Sequence, residues 1–88
     1  MKKNLEVKKQ CDFIQDGTGK TYISRPTSWM GGWARHLWFE HHMGIKPTIA
    51  SNVLYEDLTK SHSVCTLTEY SDGSIKVYNP KEEQDGVS

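Results

Sequence analysis

The chain has 88 residues and a mass of 10.1 kDa; eleven Lys and Arg balance eleven Asp and Glu, and 35% of the residues are hydrophobic. That size makes one small domain, too short for a dinucleotide-binding enzyme fold, a (β/α)₈ barrel or an α/β-hydrolase. No apolar run approaches the roughly 20 residues of a membrane span, and the charged opening Met-Lys-Lys-Asn-Leu-Glu lacks the apolar stretch of a secretion signal. The expected compartment is therefore cytoplasmic. Cys11 and Cys65 are accordingly expected as two free thiols rather than a disulfide. A single domain over residues 1–80 is expected, followed by a disordered polar tail over 81–88.

The neutral total hides an asymmetry. Residues 1–46 carry eight basic and four acidic side chains, whereas residues 47–88 carry three basic and seven acidic ones. Folding mixes sequence halves in space, so this need not make a basic face and an acidic one.

In chain order, residues 5–14 have the broken alternation of a strand: Leu5, Val7, Cys11, Phe13. Asp16-Gly17-Thr18-Gly19 is a turn signal, and Thr21-Tyr22-Ile23-Ser24 is β-rich again. A four-residue loop would set Phe13 opposite Tyr22. Arg25-Pro26 ends the hairpin, since proline donates nothing to a ladder. A main helix is predicted from the region of Ser28, or from Gly32 if Gly31-Gly32 delay it, to Met43. Gly44-Ile45 forms its stop. On this helix Trp29, Met30, Trp33, Ala34, Leu37, His41 and Trp38 share one half of the wheel, which is the expected core face. Residues 49–58 fit a short helix (Ile49, Val53, Leu54, Leu58) and also a strand (Ile49, Val53, Tyr55); the helix is the expectation. Residues 63–79 read as a second hairpin around Asp72-Gly73. A two-residue loop would set Glu69 opposite Lys76 and Thr68 opposite Val77. The fold expected is α+β: a small antiparallel sheet from two β-hairpins packed on one main α-helix, with a possible second short helix.

Most catalytic chemistry fails on spacing. Gly17-Thr18-Gly19-Lys20-Thr21 resembles the end of a phosphate-binding loop, but Ile14 stands where the first glycine is required, and a strand follows instead of a helix. His36, His41 and His42 point three ways from a straight helix. Only His36 and Glu40 lie close enough to share a metal, and His62, Cys65 or Cys11 would have to complete the site. No nucleophile elbow occurs, neither cysteine has a setting that would lower its pKa, and the acidic pairs Glu56-Asp57 and Glu82-Glu83 read as solvated surface. The chain is expected to be non-catalytic, with no cofactor and no metal.

One window stands out. Arg25, Trp29, Trp33, Arg35, His36, Trp38, Phe39 and His42 crowd into eighteen residues. Phe39, Arg35 and His42 lie opposite the tryptophans on the wheel, so an exposed Phe among cationic groups is expected there. Trp and Arg are over-represented where proteins recognise proteins. Expected contact residues are therefore Arg35, Phe39 and His42, with His36 and Trp38 at the border. They would serve a small inhibitor or accessory regulator of a larger protein partner. The alternative is a DNA- or RNA-binding regulator using Lys2, Lys3, Lys8 and Lys9 with the same helix, against which the zero net charge counts. An edge strand at either hairpin would also offer an unpaired ladder to a second copy of the chain.

Overall fold

The computed structural model describes residues 5–25 and 34–80. These form an α+β unit in the order β1 (Val7–Gln15), β2 (Thr21–Ile23), α1 (Ala34–Met43), β3 (Thr48–Ile49), α2 (Asn52–Ser61), β4 (Val64–Tyr70) and β5 (Ile75–Tyr78). The strands make one sheet in the order β3-β2-β1-β4-β5. β1 pairs antiparallel with β2 and with β4, and β4 pairs antiparallel with β5. The expectation of a purely antiparallel sheet is corrected by β3. This two-residue strand, too short to show periodicity, runs parallel to β2 after the α1 crossover and sets Ile49 beside Ile23.

Both predicted registers move by one residue, for the same reason. Asp16 donates its N–H to Lys20 O (3.0 Å) and accepts from Gly19 N (3.1 Å); likewise Tyr70 donates to Ser74 O (2.8 Å) and accepts from Gly73 N (2.9 Å). Each loop therefore holds three residues, with a glycine at its third position at φ +90° (Gly19) or +89° (Gly73). This is the bulged hairpin loop in which glycine takes the left-handed position at little steric cost. Carboxylates lock both turns: Asp16 Oδ1 accepts from Thr18 N, Thr18 Oγ1 and Lys20 N, and Asp72 Oδ1 accepts from Ser74 N and Ser74 Oγ. Phe13 consequently faces Ile23, and Glu69 faces Ile75 rather than Lys76. A one-residue slip exchanges the two faces of a strand, so it decides which side chains of β5 share a face with the core.

The main core cluster lies on one face of the sheet. Cys11, Phe13, Ile23, Cys65 and Leu67 are buried there with Phe39 of α1, and Trp38, Met43, Ile45 and Ile49 pack around them. Ile14, next to Phe13 in β1 and so on the other face, is also fully buried. The Phe13 and Phe39 rings meet edge to face at 5.1 Å, a geometry worth about 0.5–1.5 kcal/mol beyond the burial itself. Gly44, at φ +75°, ends α1 with its N–H bonded to Glu40 O. Ile45 then turns back onto the core, as the Gly-Ile stop predicts. α2 fulfils the helical reading of 49–58, starting three residues later; Ser51 caps it by accepting from Leu54 N. Both cysteines are free and buried. Among the described residues no helix is long and apolar enough to cross a membrane. Trp29, Met30, Trp33, the Gly31-Gly32 pair and the 81–88 tail lie outside the described residues.

Candidate protein interface

α1 presents to the sheet the side opposite to the one predicted. Phe39 is 0% exposed and Arg35 4%, while Leu37 is 60% exposed and His41 is exposed as well. The predicted phase depends on Trp29, Met30 and Trp33. Within Ala34–Met43 alone, Phe39, Trp38 and Met43 define the apolar side, and that side meets Phe13 and Leu67. Phe39 is thus a core residue, which corrects its placement on an exposed contact surface.

Arg35 is corrected in the same way. Its Nη2 donates to Ser24 O (2.6 Å), Ser24 Oγ (2.8 Å) and Arg25 O. The guanidinium ties α1 to the end of β2 and cannot reach a phosphate or a partner carboxylate from there. Its Nε is buried without a hydrogen-bond partner, as is the Tyr55 hydroxyl. Burial pushes the Tyr55 phenol up. Burial likewise raises the Cys11 thiol to about 11, although the nearby Arg35 charge pulls the other way. Cys11 is therefore a protonated, inert thiol at neutral pH.

The remaining predicted residues divide. His36 is half-buried on α1. Trp38 and His42 converge on β4: the Trp38 indole N–H donates to Glu69 Oε1 at 2.9 Å, and His42 Nε2 lies 3.8 Å from the same oxygen. The two rings stack edge to face at 5.2 Å, and His41 continues the stack against His42 at 5.0 Å. The Trp38 hydrogen bond, reinforced by His42, Lys8 and Lys9, holds the Glu69 carboxyl below the usual carboxylate range. Lys9 stands across from Glu69 in the β1–β4 register, so the basic half of the chain meets the acidic half inside one sheet.

Beyond Glu69 on the same face come Ile75 and Val77 of β5, its pairing partner and that of Leu67. They are 40% and 46% exposed, and Tyr78 on the other face is 43% exposed. β5 is the last strand of the sheet. Because Tyr70 donates its N–H to Ser74 O, alternation directs the N–H and C=O of Lys76 and Tyr78 toward β4. Those of Ile75 and Val77 face outward. Among the described residues the result is an open strand edge bearing two aliphatic side chains, next to a β4 strand whose Glu69 holds the Trp38 indole. Sequence reasoning found Trp38 and His42 but missed Ile75, Val77, Tyr78 and Glu69 as a group. The signal was the β-rich run Ile75-Lys76-Val77-Tyr78, whose position at the sheet's edge only the strand order reveals.

A concavity of about 340 Å³ lies at the end of α2 between Asp16, Ser61, His62, Ser63 and the buried Cys65. Its polar groups are largely engaged with their own loops: Asp16 with Thr18 and Lys20, and His62 Nδ1 with Ser61 Oγ (2.8 Å) and Leu58 O (3.2 Å). Among the described residues no three His, Cys, Asp or Glu side chains converge as a metal site. Compared with protein-family models, with curated proteins and with solved structures, the chain matches none of them.

Proposed function

We propose that this chain is a small non-catalytic protein-binding module, an inhibitor or accessory regulator of a larger protein, and that it binds through the open β5 edge. The observation that carries this reading is the exposed edge itself. Its outward N–H and C=O groups sit at Ile75 and Val77, whose side chains are exposed beside Trp38. An extended segment of a partner would complete the ladder with main-chain hydrogen bonds, and its alternate side chains would meet Ile75, Val77 and Trp38. The pinned indole supplies a rigid anchor, which lowers the ordering cost of binding.

The test is affinity capture from a host lysate, treated with nuclease and read by mass spectrometry, with wild type and Val77→Lys in parallel. Val77→Lys is expected to change stability by no more than about 0.5 kcal/mol, as surface substitutions do. The expected result is one dominant protein retained by wild type and lost by the variant. Retention unchanged by Val77→Lys would remove the β5 edge from the interface. Bound material that disappears with nuclease would transfer the function to nucleic-acid binding.

A further inference from the structure

The β5 edge is complementary to itself, and we infer that a second copy of this chain occupies it in the absence of another partner, joining two sheets about a two-fold axis through Val77. The inference rests on the reading of β5 as a docking edge.

Antiparallel pairing about an axis perpendicular to the sheet keeps the two core faces on one side. Residues of like face must then oppose each other, so the axis passes through a residue and not between two. Four choices exist within β5, Ile75 to Tyr78. An axis at Tyr78 leaves Tyr78 the one β5 residue opposite a β5 residue of the other copy, since Val77 then faces Asn79 past the strand's end. An axis at Lys76 sets Lys76 against its own copy, a like-charge pair that opposes association. An axis at Ile75 runs Val77 into Gly73, whose φ of +89° ends the strand. An axis at Val77 sets no like charges together and keeps Lys76, Val77 and Tyr78 opposite β5 residues of the other copy. Val77 has its N–H and C=O on the open side, so the two copies exchange both bonds there. Lys76 then lies opposite Tyr78 of the other copy, twice. These two are a non-hydrogen-bonded pair, in which side chains approach most closely. A cation over a tyrosine ring is attractive, and the same sheet already uses it: Lys20 Nζ sits 5.3 Å from the centre of the Tyr22 ring. The chain's zero net charge puts no long-range repulsion between copies. On the core face the Val77 side chains of the two copies meet, continuing the apolar line from Leu67.

The experiment is sedimentation of the purified 88-residue chain over a concentration series, with four variants. Wild type is expected to approach twice the 10.1 kDa chain mass as concentration rises. Tyr78→Lys sets Lys against Lys76 of the other copy and is expected to leave a monomer. Adding Lys76→Glu to Tyr78→Lys replaces that repulsion with an ion pair and is expected to restore the dimer, a rescue specific to this register. Val77→Lys, which puts two cations on the axis, is expected to be monomeric and not rescued by Lys76→Glu. Wild type sedimenting as a monomer throughout, or a dimer indifferent to Tyr78→Lys, overturns the inference. A monomeric wild type that still captures a protein through Val77 removes the second copy alone and leaves the docking edge in place. Circular dichroism on each variant separates loss of association from loss of fold.

Discussion

At Phe39 the ring meets Phe13 edge-on and is withdrawn from solvent, so truncation leaves a hole at the centre of the core cluster. Phe39→Ala is expected to cost about 3–5 kcal/mol, a large part of what a domain of this size has to spare, read as a fall in the urea midpoint. Cys11 sets a limit at the alkaline end. Its thiol is raised from 9.0 to about 11 in the folded chain, chiefly by burial. The folded state thus holds its proton more tightly than the unfolded state does. Its contribution is complete below pH 9 and is lost as pH rises toward 11. Thermal unfolding over that range is expected to show a falling midpoint that Cys11→Ala flattens. An alkaline slope unchanged in Cys11→Ala would assign the loss to other groups.

Among the elements, α2 depends most on its own ends, because none of its side chains is fully buried. Ser51 accepts from Leu54 N at 3.3 Å and satisfies one of the amides that a helix start leaves open. Ser51→Ala is expected to cost about 1 kcal/mol and to speed amide exchange over 52–61 before any change appears in β1 or β4. Much at this scale was legible in the sequence: β1, β2, β4, β5, the Gly44 stop of α1 and the helical character of α2 follow from apolar spacing and turn residues. What escaped was parity. Asp16-Gly17-Thr18-Gly19 and Ser71-Asp72-Gly73-Ser74 each allow loops of two, three or four residues, and composition does not choose among them. The three-residue loop is selected by where the last glycine can turn left-handed, and that choice puts Ile75 on the face of Glu69. The side of α1 that packs was misread for a related reason. Including Trp29 and Trp33 in the periodicity outweighs Phe39, whose ring packs edge-on against Phe13.

For the molecule as a whole, the α+β class was legible and the strand order was not. Nothing in the composition of β1 says that it pairs on both sides, or that β5 is left at the rim. That order makes the Trp38–Glu69–His42 cluster border an open edge, since it depends on β4 lying between β1 and β5. The same order has a consequence for a chain emerging from the ribosome. β1 meets β2 within a few residues of being made, but its other flank waits for residues 64–70. At about 5–20 residues per second that interval lasts on the order of seconds. During it, Cys11, Phe13 and Phe39 have no Leu67 or Cys65 to close over them. The nascent polypeptide carries its most adhesive flank then, and the arrival of β4 and β5 moves that rim outward to β5, whose outer edge the folded chain keeps unpaired among the described residues.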